Sequence, residues 1–126
     1  MRYRFLRFPG GLAKAITLSY DDGCKDDIRF SETICAHGLK CTFNINSGFI
    51  AEKEGDWHLT REQIKKYLID TGNEIAVHGK NHRALGKVTP VDGIRDVLDC
   101  RTELEQEFGM IIRGMAYPDS GITRFE

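Results

Sequence analysis

Short apolar runs alternate along the chain with longer segments of helical periodicity. Four runs predict β-strands: KAITLSY, CTFNIN, NEIAVH and IIRGMAY. The first alternates through Ile16, Leu18 and Tyr20, as a half-buried strand does. Successive runs are spaced as in βα units, in which a helix returns the chain to the start of the next parallel strand. The pattern therefore predicts an α/β fold with a parallel sheet. RYRFLRF, before Pro9, is expected to add a short strand or arm.

The segments between these runs predict three helices. The first ends at a glycine cap, Gly38, and has apolar positions at Cys24, Ile28, Cys35 and Leu39. The second begins at Thr60, which has the capping-box spacing to Gln63 and is followed by the apolar stripe Ile64, Tyr67 and Leu68. The third begins at Thr89-Pro90 and ends at Gly109. Its predicted buried face comprises Ile94, Val97, Leu98, Leu104 and Phe108.

Length and charge limit the classes of protein that fit. A chain of 126 residues predicts one domain over residues 1–126. Lysine plus arginine number 18 and aspartate plus glutamate 19, a net charge of −1, which argues against a nucleic-acid partner. No apolar run approaches the roughly 18 residues of a transmembrane segment.

Signals of cellular location are weaker. The start MRYRFLRFPGG has no apolar core of a secretory signal. The cysteines form no Cys-x-x-Cys pair and are expected to be reduced thiols: Cys24, Cys35, Cys41 and Cys100. Both features favour the cytoplasm.

Polar side chains follow each predicted strand. The four strand ends read Tyr20-Asp21-Asp22-Gly23, Asn44-Ile45-Asn46-Ser47-Gly48, His78-Gly79-Lys80-Asn81-His82 and Tyr117-Pro118-Asp119-Ser120-Gly121. Because the carboxyl ends of parallel strands meet at one edge of the sheet, these groups are expected to converge there.

The converging residues have the chemistry of a catalytic metal site. His78 and His82 are four residues apart, a spacing that on a helical turn points both imidazoles the same way. Two imidazoles and one carboxylate leave coordination positions open for water, whose pKa the metal lowers. Of two adjacent aspartates, one can bind metal while the other accepts a proton.

Each feature also has a simpler explanation. Asp-Asp-Gly alone is typical of a turn, and a His-x-x-x-His pair arises by chance. His37 and His58 fit surface or capping roles, and packing is favoured for Trp57 over a role as a sugar platform. The same donor set also occurs in non-haem iron oxygenases, although there the ligands begin with His-x-Asp/Glu on antiparallel sheets.

Four motifs in order, ITLSYDDG, FNINSG, NEIAVHGKNH and RGMAYPDSG, resemble the polysaccharide deacetylase family (NodB-homology domain, carbohydrate esterase family 4). The resemblance implies a metal-dependent hydrolase that removes acetyl groups from N-acetylated (poly)saccharides, on a distorted (β/α) barrel. It implies Asp21 as the general base that activates a metal-bound water, and a divalent ion, with zinc favoured, on Asp22, His78 and His82. The Tyr117 backbone amide would help to hold the oxyanion. Asn46 and Pro118, within the second and fourth motifs, are assigned to substrate binding.

The chain departs from the family pattern in its last third. Members usually continue for several βα units that supply a general-acid histidine, and they commonly have arginine where this chain has Ala116. We therefore expect a C-terminally truncated domain, about half a barrel, since closed barrels need about 200 residues or more. A non-catalytic domain that binds a glycan or protein partner remains the alternative.

A half-barrel has further consequences for partners and location. It is expected to expose strand edges and an apolar inner face, which invite a homo-oligomer or another partner. The family resemblance implies the cell envelope as a second candidate location, in addition to the cytoplasm.

Overall fold

A computed structural model describes residues 7–119, and the structural statements below concern that range. Its main elements, in chain order, are β1 (Ser19–Asp21), α1 (Asp26–Ala36), β2 (Thr42–Ile45), α2 (Arg61–Gln63), β3 (Glu74–Val77) and α3 (Pro90–Phe108). Helix α2 continues directly into one π-helical segment over Ile64–Ile69. Short 3₁₀ turns occupy Pro9–Gly11, Ser47–Phe49 and Leu85–Lys87. Most of the strand or arm expected at RYRFLRF lies outside the described residues.

The three strands form a parallel sheet in the order β1-β2-β3, as the βα pattern predicts. The register pairs Asp21 with Asn44, and Asn44 in turn with Ala76. Strand β1 is shorter than predicted, and Ile16 is 82% exposed ahead of it. A parallel α/β fold is thus confirmed in a partial form.

The predicted fourth strand is reduced to a single parallel bridge between Val77 and Met115. The Val77 amide donates to the Gly114 carbonyl (3.0 Å) and the Ala116 amide to the Val77 carbonyl (2.9 Å). Ile112 is buried, but Ile111 is 67% exposed, so only one side of this segment contacts the protein. With a glycine in its middle and no described strand beyond it, the segment has little to extend its ladder.

All three helices pack on one face of the sheet. The alternate strand residues that point to this face form the core with helix residues Ile34, Leu68, Cys100 and Leu104; they are Phe43, Ile45, Ile75 and Val77. This period of two places every intervening strand residue on the opposite face.

That opposite face is polar, which corrects the expectation of an apolar inner face. The Asn44 amide donates to Ser19 Oγ (2.8 Å), and the Thr42 hydroxyl donates to Glu74 Oε2 (2.6 Å). Polar side chains at alternate positions hydrogen-bond across the strands there, so the open side of the half-barrel presents little apolar surface.

The cap predictions for the second and third helices are confirmed. Thr60 and Gln63 exchange both hydrogen bonds of the capping box (3.0 and 3.3 Å). Thr89 Oγ1 accepts from the Asp92 amide, and Gly109 ends α3 in the left-handed conformation (φ 63°). These signals are local, which is why sequence alone reveals them.

The predicted buried face of α3 is wrong at Ile94 and Leu98, whereas Leu104 is in the core and Val97 and Phe108 pack against it. Ile94 and Leu98 are 59% and 54% exposed, and the buried residues of the helix are Gly93, Asp96, Cys100 and Leu104. The helix is turned because the Asp96 carboxylate is drawn inward to hydrogen-bond the loop after β3. Among the described helices none has the length and apolar character to cross a membrane.

Candidate metal centre

Three predicted ligands meet at the carboxyl edge of the sheet. Asp22 follows β1, and His78 and His82 lie in the loop that follows β3. Asp22 Oδ1 lies 3.3 Å from His82 Nε2 and 3.6 Å from His78 Nε2, and one ligand atom from each residue lies within 4.8 Å of the other two. The structure thus brings together the metal-ligand set that the sequence predicts.

The histidines converge through a tight loop and not through a helical turn. Gly79 and His82 both have left-handed backbones, with φ of 71° and 51°. Asp22 is also left-handed (φ 78°). Left-handed φ is uncommon for residues other than glycine and costs free energy, so two of the three ligands hold conformations that the surrounding structure must impose.

A hydrogen bond to the backbone carbonyl of Ala116 orients the His78 ring. Its ring is 2% exposed, and Nδ1 lies 3.1 Å from the Ala116 carbonyl oxygen. Because a carbonyl only accepts, Nδ1 carries a proton, and Nε2 is the ring nitrogen that is directed at Asp22. A hydrogen bond from the far ring nitrogen to a carbonyl is the usual support of a metal-ligating histidine.

Two buried side chains hold the histidine loop. The Asn46 amide donates to the carbonyls of His78 and Gly79. Asp96, 4% exposed, accepts from the backbone amide of Asn81 (3.1 Å) and from its side-chain amide (2.9 Å). Asn46 is 1% exposed, so what it does in this structure is hold the loop, and its predicted contact with substrate stays a prediction.

Glycines are required at two points of this arrangement. A Cβ atom on Gly79 would lie 2.5 Å from Asp96 Oδ2, and one on Gly48 would lie 2.6 Å from the Lys80 carbonyl oxygen. Both distances are far below contact, so only glycine lets α3 and the turn after β2 approach the histidine loop this closely.

Asp21 diverges from Asp22, as expected of adjacent strand-end residues. Its side chain lies on the polar face of the sheet, where Oδ1 accepts a hydrogen bond from the Asn44 amide (2.7 Å). Asn44 is 1% exposed and Asp21 is exposed, so a buried amide orients a solvent-accessible carboxylate.

The last described segment runs beside His78. Tyr117 directly follows Ala116, the acceptor of the His78 hydrogen bond, and its side chain is 74% exposed. Pro118 is buried and lies against Gly79, with its Cγ 3.4 Å from where a Cβ of that glycine would be. The backbone at Tyr117 is therefore anchored close to the ligand set, as its predicted role requires.

The donor set fits a divalent metal ion. Asp22 Oδ1 is buried and accepts no hydrogen bond, while His78 Nε2 and His82 Nε2 lie 3.6 and 3.3 Å from it. Acceptor atoms that face one another in this way repel unless a proton or a cation lies between them. Two imidazoles and a carboxylate oxygen are ligands typical of zinc and other divalent ions.

Sequence reasoning missed the roles of Asn44 and Asp96. Asn44 was part of a recognised strand-end motif, but its partner depends on the β1–β2 register. Asp96 lies 14 to 18 positions from the histidines in sequence, on the third helix and in none of the four strand-end motifs. The one feature that could have indicated its burial is its spacing: Asp96 lies three residues after Gly93 and four before Cys100, and both of these are buried on the same helix face.

A polysaccharide deacetylase family model matches residues 3–124, nearly the whole chain. The chain belongs to the polysaccharide deacetylase family. No curated protein shows significant sequence similarity to it.

Solved structures share its fold. Deacetylase PplD from Streptococcus pyogenes, in complex with acetate, is 22% identical with a TM-score of 0.78, over 89% of this chain and 49% of that one. IcaB from Ammonifex degensii is 22% identical with a TM-score of 0.74, over 94% and 55%. Peptidoglycan deacetylase PdaC from Bacillus subtilis is 17% identical with a TM-score of 0.65, over 88% and 52%. The chain thus spans about half the length of these proteins, which agrees with a partial barrel.

Proposed function

We propose that this domain is a metal-dependent hydrolase that removes acetyl groups from N-acetylated saccharides. The observation that carries the proposal is that the Nε2 atoms of His78 and His82 both approach Asp22 Oδ1. The neighbouring Asp21 carboxylate is held apart from this cluster by its hydrogen bond from Asn44. Membership of the polysaccharide deacetylase family supports the reaction class and the substrate class.

Asp22, His78 and His82 would hold the ion, and zinc is the favoured metal because imidazole and carboxylate ligands suit it. A divalent ion at this position supplies Lewis acidity to the reacting water and to the acetyl carbonyl. The chain prepares the ligands by fixing the His78 tautomer through Ala116 and the loop through Asn46 and Asp96.

Asp21 is the proposed general base. Its carboxylate is exposed and held in one orientation by Asn44, so it can take a proton from water at the edge of the sheet. The Tyr117 amide is the proposed hydrogen-bond donor to the oxyanion that forms as the amide carbonyl is attacked. Pro118, packed on Gly79, keeps this segment next to the histidine loop.

Acetate release from an oligomer of N-acetylglucosamine tests the proposal. Zinc-loaded protein is expected to release acetate, and chelation of the metal is expected to abolish the release. Asp21→Asn is the matched control, because it keeps the shape of the side chain and its hydrogen bond from Asn44 but cannot accept a proton at a carboxylate. Release that continues at the parental rate in Asp21→Asn would contradict the role of Asp21.

A non-catalytic glycan-binding domain is the second candidate. It is favoured by Ala116, which occupies the position where the family motif commonly has arginine near the catalytic aspartate. Saturable binding of the oligomer by the zinc-loaded parent chain, with no acetate released over many hours, would support this candidate against the hydrolase.

A further inference from the structure

Three polar side chains join the loop between the histidine ligands to its two neighbours, the turn after β2 and helix α3. The Lys80 ammonium donates to Glu103 Oε1, and the Ser47 hydroxyl donates to Glu103 Oε2 (2.7 Å). Both oxygens of one carboxylate on α3 are therefore used, and each accepts from a different segment of the chain. We call Ser47, Lys80 and Glu103 the loop clasp.

Backbone contacts place the loop clasp at the middle of the histidine loop. Lys80 is two residues from each histidine ligand. Its amide donates to the Asp96 carbonyl (3.0 Å), and its carbonyl accepts from the Gly48 amide (3.0 Å). Glu103 lies about two helical turns after Asp96, so the two carboxylates are on the same side of α3. The histidine loop is thus held at two points along one side of this helix.

The loop clasp also determines where the positive charge of Lys80 lies. Two residues span at most about 7 Å, so the Lys80 backbone is within that distance of the backbone of each histidine ligand. An unpaired ammonium on this loop would oppose a divalent cation bound by the histidines, because like charges repel. The ion pair with Glu103 neutralises the ammonium and fixes it against α3.

The ion pair of the loop clasp is partly exposed to solvent. The side chains of Lys80 and Glu103 are 34% and 40% exposed. Exposed ion pairs contribute little to the stability of a fold. Contacts that orient metal ligands, by contrast, commonly change metal affinity by about 10- to 100-fold. A change in metal affinity without a change in stability therefore distinguishes a positioning role from a structural one.

We propose that the loop clasp positions the histidine ligands, with Glu103 as the positioning residue, and that it keeps the Lys80 ammonium from opposing the bound cation. The proposal rests on the metal centre of the proposed function. It adds a charged contact on α3 to the two buried side chains, Asn46 and Asp96, that hold the same loop.

Zinc affinities of single variants test the loop clasp. Glu103→Gln keeps the size of the side chain but leaves the Lys80 ammonium unpaired, and is expected to lower zinc affinity about tenfold. Lys80→Met removes the contact and the positive charge together, so a smaller loss of about threefold is expected. Lys80→Arg keeps a cation within reach of Glu103 and is expected to bind zinc as the parent does.

Arg101→Met is the control, because it breaks an ion pair of similar exposure on the same helix, between Arg101 and Glu105. Its zinc affinity is expected to equal that of the parent. Equal affinities in Glu103→Gln and Arg101→Met would overturn the loop clasp.

The double variant Lys80→Met with Glu103→Gln tests whether the two residues act as a pair. It is expected to bind zinc more tightly than Glu103→Gln alone, near the value of Lys80→Met, because the unpaired ammonium is gone. Losses of affinity that multiply in the double variant would show two independent effects and would overturn the proposal.

Two further measurements separate positioning from a general structural defect. Metal-free Glu103→Gln is expected to unfold at the same urea concentration as the parent. Circular dichroism is the suitable probe, because Trp57, the only tryptophan, is 59% exposed, which corrects the packing role expected for it. With cobalt(II) in place of zinc, Glu103→Gln is expected to change the visible absorption spectrum, which depends on ligand geometry. Earlier unfolding with an unchanged cobalt spectrum would show a structural role only and overturn positioning.

The loop clasp and the proposed function fail in different ways. Zinc binding and acetate release by the parent chain, with the same zinc affinity in every variant, would overturn the loop clasp and leave the hydrolase standing. A tenfold loss of zinc affinity in Glu103→Gln, with no acetate release by the zinc-loaded parent, would support the loop clasp and overturn the hydrolase. A parent chain that binds no zinc would overturn both.

Discussion

A single carboxylate oxygen, Asp22 Oδ1, organises the candidate site, and a second aspartate beside it is held apart by an amide. The separation of Asp21 from Asp22 is what allows adjacent residues to have different roles. It depends on two features: the left-handed backbone of Asp22 and the hydrogen bond from Asn44 to Asp21.

Replacing Asn44 tests whether its amide orients Asp21. Asn44→Asp keeps the size of the side chain but places a carboxylate against Asp21 Oδ1, where the amide now donates at 2.7 Å. Acetate release is expected to fall at least about tenfold, since a hydrogen bond to a charged group contributes about 1.5–3 kcal/mol. Zinc affinity, measured by calorimetry, is expected to stay the same, because the Asn44 side chain bonds Ser19 and Asp21 only, and the backbone carbonyl that accepts from the Asp22 amide (3.0 Å) is kept in the variant.

Thr42→Val is the control for this variant, since Thr42 lies on the same polar face but bonds Glu74. If Asn44→Asp released acetate as fast as Thr42→Val, Asn44 would have no role in positioning Asp21.

The proposed ligands could be identified from sequence because few residue types bind metals and two of the predicted strand ends carried them. The supporting residues could not. Asn44 reaches Asp21 only because the β1–β2 register places the two residues side by side. Asp96 reaches the histidine loop only because α3 turns that side of the helix inward. Both arrangements are set by packing between elements distant in sequence.

At the scale of elements, the loop after β3 is the part that holds the site together. It leaves the sheet at His78, turns through the left-handed Gly79 and returns at His82, held from below by Asp96 on α3. Caps and strand order could be predicted, because their signals lie in neighbouring residues. The loop was predicted as a helical turn from spacing alone, whereas its positive φ angles arise from tertiary contacts.

Asp96→Ala is expected to weaken zinc binding about 10- to 100-fold, because the Asn81 amides lose their acceptor and the histidine loop is released. Competition with a zinc-chelating dye measures the change. Asp99→Ala removes an exposed carboxylate one turn further along the same helix and is expected to have no effect. Equal affinities in the two variants would show that the loop does not need Asp96.

Helix α1 carries a buried carboxyl group in its first turn. Asp27 is fully buried, and burial raises its pKa from the ordinary 3.8 to about 7. Between about pH 4 and pH 7 the folded chain therefore holds a proton that the unfolded chain has lost. Stability is expected to fall as pH rises through this interval and to level off above about pH 7.

Urea unfolding of metal-free protein at pH 5 and pH 8 measures this effect. Asp27→Asn, which cannot ionise, is expected to lose the decrease, whereas Asp26→Asn, at an exposed neighbouring position, is expected to keep it. A parent chain whose stability rises from pH 5 to pH 8 would contradict a protonated Asp27.

On the scale of the whole molecule, an exposed apolar surface lies on α3 and the last described segment, and not on the open face of the sheet, which is polar. Exposed faces of α3 and of the last described segment line a groove of about 450 Å³ whose walls include Ile94, Leu98, Met115 and Tyr117. The sequence predicted exposed apolar surface for a half-barrel, but placed it on the inner face. Strand alternation could not show which face the helices would cover.

This groove is expected to cause weak self-association. Ile94→Lys combined with Leu98→Lys replaces two exposed apolar side chains and should lower the apparent mass in sedimentation at high concentration, without loss of thermal stability. Val91→Lys, also exposed and one turn earlier on α3, is the control. A parent chain that sediments as a monomer at every concentration would contradict the expectation.

Zinc binding by metal-stripped protein tests the central claim most directly. Calorimetry is expected to show one zinc ion bound per chain, and the double variant His78→Ala with His82→Ala is expected to show no binding, because it retains only the Asp22 carboxylate of the three ligands. Unchanged binding in the double variant, or no binding by the parent chain, would contradict a metal centre at this edge of the sheet.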